Sequence, residues 1–381
     1  MYDLRPTNNT RKAFLAGLHL TGSKKTRVEY DLSIRELGAL AETLGFTVID
    51  TFIQSTDKVT RRTYLGSGKV AQMKTAAEME EPDIILVNEE LSPMQTENLE
   101  KELDTEVLDR TGVILQIFAQ HARTREARLQ VESARLSYIL PRLAGMRTNL
   151  SRQGGGSGRL SNKGAGEQQI ELDRRRIERQ ISLIRQQLKA VSRERSTQRS
   201  RRQSADIPRV SLVGYTNAGK STLMNALLSR YGRSSSQKEV LAQDKLFATL
   251  DTAVRRIGYG EDAFLLSDTV GFIDDLPHTL VDAFRSTLEE VQQADLLLEV
   301  VDCADPSYEH QIAVTAKTLE EIHANHIPIL YVCNKADLVE DLPIPHVGTD
   351  RIYMSAKSGI GLPELMEMIR KNLSAEGVLH T

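Results

Sequence analysis

The chain has 381 residues, 40% of them hydrophobic, and its 49 Lys plus Arg nearly balance 52 Asp plus Glu for a formal net charge of −3. That length accommodates two or three domains, each able to bury a core unaided, and no apolar stretch approaches the roughly 20 residues of a spanning helix or forms a signal-peptide core. Cys303 and Cys333 stand without companion histidines at ligand spacing, which argues against a disulfide or zinc site and for a soluble protein in a reducing compartment, the cytoplasm.

Strand-like and helix-like patterns alternate through residues 1–125. Ala13 to Leu18 opens as a strand. Ser33 suits the N-cap of a helix carrying Ile34, Leu37, Leu40 and Leu44 on one face, with Glu36 completing a capping box. Thr47 to Ile53 reads as the next strand, followed by a helix around Val70 to Met79, the strand Ile84 to Val87, a helix beginning near Ser92-Pro93, and the strand Glu106 to Asp109. This alternation predicts a compact α/β domain with a largely parallel sheet. Tyr64-Leu65-Gly66-Ser67-Gly68-Lys69 departs from the phosphate-loop template at both Thr63 and Val70 and reads as a glycine turn capping a helix. Asn88-Glu89-Glu90 and Asp104 read as solvated groups at strand ends and in loops, without chemistry.

The middle of the chain changes character. From Arg123 to Arg202 there are 20 Lys plus Arg against 7 Asp plus Glu, a formal +13, so the remainder of a chain at −3 carries −16. Two helical runs hold that charge over 126–204. Ala127 to Leu143 has Leu129, Ala134, Leu136 and Leu140 among its apolar positions. The second run, from Glu167 to about Arg202, has Ile170, Ile177, Ile181, Ile184, Leu188 and Val191. Spacings of three, four and seven predict a coiled-coil-like antiparallel hairpin. The glycine-rich loop between them, 151–166, together with its approach carries Arg147, Arg152, Arg159 and Lys163 and no acid until Glu167. A basic glycine loop at the tip of a helical arm fits an irregular phosphate backbone. With no aromatic residues in the loop, backbone and shape contacts to RNA are expected rather than base stacking.

Residues 205–373 organise around Gly214-Tyr215-Thr216-Asn217-Ala218-Gly219-Lys220-Ser221, which follows the apolar run Val210 to Val213 and leads into a helix beginning with Thr222. Strand, glycine-bounded loop and helix headed by Lys-Ser is the context of the phosphate-binding loop. There backbone N–H groups and a helix N-terminus face a polyphosphate, with Lys220 on the β/γ-phosphates and Ser221 on Mg²⁺. Asp268-Thr269-Val270-Gly271, Asn334-Lys335-Ala336-Asp337 and Ser355-Ala356-Lys357 each follow an apolar run, at the strand ends where open α/β sheets bind ligands. Asp337 would accept two N–H bonds from a guanine edge, a pattern adenine lacks. Asn334 and Lys335 would brace that loop, and Ser355 to Lys357 would close over the base. In this order the motifs predict a P-loop GTP-binding domain on a mostly parallel sheet, with a short tail at 374–381.

The domain order resembles the HflX family of ribosome-associated GTPases. So do the Leu108-Asp109-Arg110-Thr111 junction, the run Arg123 to Val131, the glycine loop, and Glu171-Leu172-Asp173-Arg174-Arg175-Arg176 ahead of the GTPase half. The resemblance implies binding of the large (50S) ribosomal subunit and its rRNA near the peptidyl-transferase region through the loop between the helices. It also implies GTP-dependent splitting of stalled or hibernating ribosomes. By the same comparison Phe247-Ala248-Thr249-Leu250-Asp251 is the first switch, where Thr249, with Thr252 as rival, closes onto Mg²⁺. Asp268 holds Mg²⁺ through water, and the Gly271 amide senses the γ-phosphate. Lys220, Thr249 and Gly271 are the catalytic candidates.

Two features depart from the family pattern. The family's G-P-G-E-T-Q is here Gly164-Ala165-Gly166-Glu167-Gln168-Gln169, and with a last helix expected to end near Leu373 the extra carboxy-terminal domain of some members is not expected. Phe272 stands where many GTPases have a glutamine that orients water, so slow intrinsic hydrolysis completed by the ribosome or a monovalent cation is expected. Asn217 either binds K⁺ beside the phosphates, as in related GTPases, or only stabilises its own turn. A monomer is the default expectation. Two other classes fit parts of the pattern, an ATP-dependent RNA remodeller acting through the amino-terminal domain and a scaffold GTPase whose hairpin binds an acidic surface.

Overall fold

The computed structural model describes residues 11–23, 25–153, 171–191, 207–232, 246–247, 253–258, 260, 263–275 and 285–375, the side chains of 144–153, 285–287 and 375 excepted. The chain divides into two compact units, one of Met1–Gln120 with Val131–Gln187 and one of His121–Gln130 with Leu188–Thr381. Among the described residues no helix is long and apolar enough to cross a membrane.

The first unit runs β1 (Arg11–Leu20), α1 (Arg27–Thr43), β2 (Phe46–Thr56), α2 (Ser67–Glu80), β3 (Ile84–Val87), α3 (Pro93–Leu103), β4 (Glu106–Asp109) and α4 (Arg110–His121). Its four strands pair in the order β2-β1-β3-β4, every pair parallel. The central strands are apolar without alternation because both faces are covered. Phe14, Ala16, Ile85 and Val87 join Val70, Met73 and Leu99 in one core, while Ala13, Leu15, Ile84 and Leu86 are equally buried.

Two local expectations change. Helix α1 starts at Arg27 rather than after Ser33, since Thr26 and Glu29 form the capping box. Ser33 lies inside the helix, buried, where Asn88 Nδ2 donates to its hydroxyl at 3.0 Å. Both serine and threonine candidates have a glutamate three residues on, and only tertiary contact distinguishes a cap from an interior hydroxyl. Likewise Asn88 and Glu89 are not solvated. Arg110 Nη1 donates to Asn88 Oδ1 at 3.1 Å, Arg110 pairs with Glu36, and the Tyr30 hydroxyl donates to Glu89 at 2.6 Å. Burial raises the Glu89 pKa against the lowering effect of that bond. Asp104 ends α3 in the left-handed region, and Gly66 caps α2 as the glycine turn predicts.

Helix α4 is where sequence periodicity gave no separate element; it is buried almost all round. At its start Asp109, 1% exposed, accepts from four donors. These are the amides of Leu91 (3.1 Å) and Gly112 (2.9 Å), the Tyr138 hydroxyl (2.7 Å) and Arg142 Nη2 (2.6 Å). Tyr138 and Arg142 belong to the long helix α5 (Arg125–Gln153), so one carboxylate ties the sheet, α4 and the base of the basic arm. A second arm helix, α6, spans 171–191, with Ile181 buried and positions 177, 184, 188 and 191 less exposed than their neighbours, along the apolar stripe read from the sequence. The loop 154–166 and residues Arg159 and Lys163 lie outside the described residues.

The second unit contains β5 (Arg209–Val213), α7 (Lys220–Tyr231), β6 (Ala253–Ile257), β7 (Phe264–Asp268), α8 (Arg285–Gln292), β8 (Leu296–Asp302), α9 (Tyr308–Glu321), β9 (Ile329–Asn334), β10 (His346–Val347), β11 (Arg351–Tyr353) and α10 (Leu362–Ala375). The sheet order is β10-β11-β9-β8-β5-β7-β6, parallel in the middle and antiparallel only at the two edge pairs. Leu212, Val300 and Val332 meet Leu223, Met224, Leu365 and Ile369 on one face. Val213 and Leu297 meet Val291 and Leu319 on the other. The loops after β5, β7, β8, β9 and β11 therefore gather at one edge.

On central strand β8 the side chain of Glu299 is 1% exposed. Burial pushes its carboxyl up to about 7, against the lowering effect of a hydrogen bond with Thr315 of α9. The folded protein thus keeps a proton that an unfolded chain releases near 4.5. Its contribution to stability is complete below 4.5 and is lost as pH rises through 7, a swing of about 3 kcal/mol. Urea midpoints taken at pH 5 and pH 8 should show that Glu299→Gln loses less stability than the parent chain over this interval; equal losses would refute the assignment.

Candidate nucleotide site

Helix α7 begins inside the glycine-bounded loop. Gly219 is its N-cap at φ +98°, and a Cβ there would lie 2.2 Å from Asn334 Nδ2, so both backbone conformation and space demand glycine. Asn217 also sits in the left-handed region, at φ 61°, which asparagine tolerates better than most residues. Lys220, 6% exposed, donates from Nζ to the carbonyl oxygens of Gly214 (3.0 Å) and Tyr215 (2.6 Å). Burial pulls its pKa down to about 8, with Asp268 pulling the other way. An anion brought to this amine strengthens the charged form, the electrostatics a phosphate site needs.

The Ser221 hydroxyl lies 2.7 Å from Asp268 Oδ2. Two hard oxygen donors converge there, and among the described residues no group of three or more His, Cys, Asp or Glu is arranged to hold a metal. This set suits Mg²⁺, which takes few protein ligands and completes its shell with phosphate and water. Thr222 is the third residue of α7. After Asp268 the chain passes Thr269, whose hydroxyl donates to the Leu212 carbonyl at 2.7 Å, then buried Val270 and Gly271. It then pairs with the loop itself: Thr216 N–H donates to the Phe272 carbonyl at 2.8 Å and Phe272 N–H to the Gly214 carbonyl at 3.1 Å. The Phe272 side chain is turned into the core with Val213, Leu288 and Leu297.

Asn334 links three loops. Its Nδ2 donates to the Ala218 carbonyl at 2.9 Å and its Oδ1 accepts from Ala356 N–H at 2.9 Å, so the loops after β5, β9 and β11 share one side chain. Lys335 Nζ is 2.6 Å from Asp302 Oδ2. Asp302 was not among the sequence candidates, although it ends an apolar strand as the other site residues do and stands opposite Asn334 in the ladder. Asp337 lies exposed in a short 3₁₀ turn over Ala336–Leu338. Ser355 is buried and accepts from Ser358 N–H at 3.3 Å, while Lys357 is exposed.

Phe247 is buried at φ 56°. Ala248, Thr249, Leu250, Asp251 and Thr252 lie outside the described residues, as do the side chains of Arg147 and Arg152. Asn334→Ala would strand the buried Ala218 carbonyl and Ala356 amide. It should lower the stability of the second unit by about 2 kcal/mol and weaken guanine-nucleotide binding, measured by urea unfolding and fluorescent-nucleotide titration. A change below about 0.5 kcal/mol would mean that the loops are held otherwise.

The sequence matches known proteins along most of its length. Three family models match in succession, described as "GTP-binding GTPase N-terminal" over 31–119, "GTP-binding GTPase Middle Region" over 121–202 and "50S ribosome-binding GTPase" over 209–335. The GTPase HflX of Alkalihalophilus pseudofirmus is 47% identical over 329 residues, 86% of this chain and 75% of that protein. GTPase HflX of Escherichia coli is 41% identical over 355 residues, 91% of this chain and 80% of that protein. Among solved structures, a GTP-binding protein of the archaeon Sulfolobus solfataricus in complex with GDP is 25% identical at a TM-score of 0.46, with 95% of this chain and 99% of that one covered. A phosphate loop clasped to its D-x-x-G segment, the loop after β9 stapled through Asn334, and relatives above 40% identity along most of the sequence leave one conclusion: the chain is a GTP-hydrolysing member of the HflX family of GTPases.

Proposed function

We propose that this GTPase binds the large ribosomal subunit through its basic arm and uses the nucleotide state of its second unit to split stalled or hibernating ribosomes. The observation that carries the reading is the succession of a segment at formal +13 and a domain matching the 50S ribosome-binding GTPase model. Folded RNA attracts such a segment by counterion release, while the acidic remainder does not compete for phosphates.

In this reading Gly214 to Thr222 hold the phosphates. Asn334, Lys335, Asp337 and Ser355 to Lys357 hold the guanine. Ser221 and Asp268, with Thr249 from the first switch, hold Mg²⁺, which when bound neutralises charge on the phosphate oxygens. Losing the γ-phosphate frees the Gly271 amide, and the clasp between Phe272 and the phosphate loop carries that change into the chain. With Phe272 packed in the core, intrinsic turnover is slow and the ribosome accelerates it.

Sedimentation of ribosomes with the protein and GTP, GDP or a non-hydrolysable analogue should show subunit separation with GTP or the analogue and none with GDP. Asp337→Asn should weaken GTP binding about 100-fold or more and abolish the separation; intact ribosomes in every lane would end the proposal. For the arm, replacing Arg152, Arg159 and Lys163 by alanine should weaken binding to large subunits. The same change should reduce the slope of log affinity against log salt by roughly two to three, and an unchanged slope would move the contact elsewhere.

A further inference from the structure

We infer that Thr216, at the third position of the phosphate loop, supplies the hydroxyl that positions the attacking water during GTP hydrolysis. The inference rests on reading 214–221 as the phosphate loop.

Three observations converge on this side chain. The residue after the D-x-x-G glycine cannot serve, because Phe272 is 1% exposed and its ring belongs to the core beneath the sheet. Thr216 is 6% exposed, and its Oγ1 is buried without a hydrogen-bond partner among the described residues, a state that is uncommon in folded proteins and that a bound water or ligand oxygen would relieve. Thr216 is also held where the γ-phosphate end of the site must lie. A Cβ placed on Gly271 would meet Thr216 Cα at 2.8 Å, Thr216 Cγ2 at 2.8 Å and Lys220 Nζ at 2.9 Å. The threonine methyl, Gly271 and the phosphate-binding amine thus surround one point, and rotation about the Thr216 Cα–Cβ bond exchanges that methyl for the hydroxyl. The hydrogen bond from Thr216 N–H to the Phe272 carbonyl fixes the threonine to the segment that follows Gly271.

A hydroxyl there can accept a hydrogen bond from water while donating its own proton to a γ-phosphate oxygen. The water oxygen then forms its bond to the γ-phosphorus as the bond to the β–γ bridging oxygen breaks, that electron pair leaving with GDP. The water proton passes to a γ-phosphate oxygen, and Thr216 ends as it began. Its contribution is orientation, which a restrained hydroxyl supplies and a mobile one does not.

Four proteins test this, the parent chain and Thr216→Ala, Thr216→Val and Thr216→Ser, assayed by single-turnover GTP hydrolysis with and without large subunits, by nucleotide titration and by thermal unfolding. Thr216→Ala and Thr216→Val should slow hydrolysis at saturating GTP roughly 10- to 100-fold while nucleotide affinity stays within about twofold. Thr216→Ser should hold its rate within about threefold of the parent. Thr216→Val, which replaces a lone buried hydroxyl by a methyl of like shape, should unfold at or above the parent temperature. Parent-like hydrolysis by Thr216→Val overturns the proposal. So does a loss in which rate and affinity fall together and serine fails to rescue, since that marks a packing role. Failure of the phosphate-loop reading would look different: the parent would not bind GTP, and Lys220→Ala would change nothing.

Discussion

A buried ammonium organises the second unit. Lys220 is enclosed and drawn toward neutrality at about pH 8 by that enclosure, so its charge is tolerated only where oxygen atoms face it. The protein supplies the carbonyls of Gly214 and Tyr215. For those carbonyls to point at the amine the loop must curl back over the helix N-terminus. The curl brings Thr216 onto the Phe272 backbone. One constraint therefore shapes the loop around the amine and ties it to the segment after Asp268.

The other side of the site is built on side chains. Asn334 reaches from the end of β9 to the loops after β5 and β11, and Asp302 of β8 steadies Lys335. Neighbouring strands of a parallel sheet end together, so residues far apart in sequence become neighbours at its carboxyl edge. The exposed Asp337 is thereby carried by a turn whose flanks are fixed at buried points, which suits the base-binding role proposed for it. Rigid flanks and an open carboxylate favour selectivity without reorganisation on binding.

In the first unit a carboxylate has the organising role that the ammonium has in the second. Asp109 is almost wholly buried with four donors around it, two of them from the base of the basic arm. A buried charge so paired is costly to break because each partner would be left unsatisfied. The arm's first helix is thus rooted in the sheet by polar geometry as well as by packing. A similar logic accounts for Asn88, Arg110, Glu36 and Ser33, whose polar atoms lie between the elements they join.

Much of this was legible beforehand. Strands such as Ile84–Val87 and Glu106–Asp109 have the bounds read from the sequence, and the strand–loop–helix order of the P-loop GTPase half was readable because its motifs keep a fixed local spacing. Local pattern failed where two residues offered the same local chemistry or where the partner was distant. Ser33 and Thr26 both precede a glutamate by three, and only the packing of α1 made one a cap and the other a partner of Asn88. Glu89 looked like any solvated acid until Tyr30 closed over it. Phe272 was marked in the sequence as unable to orient water, yet nothing there revealed that its ring lies in the core or that the Thr216 hydroxyl is buried without a hydrogen-bond partner among the described residues. By itself, then, the sequence determined the P-loop GTPase class of the second unit, because that depends on glycine, lysine and carboxylate at set intervals between strand and helix patterns. The tertiary structure alone decided which polar side chains are satisfied and which are left buried without a partner among the described residues, because burial and hydrogen bonding are settled between segments that the chain brings together only on folding.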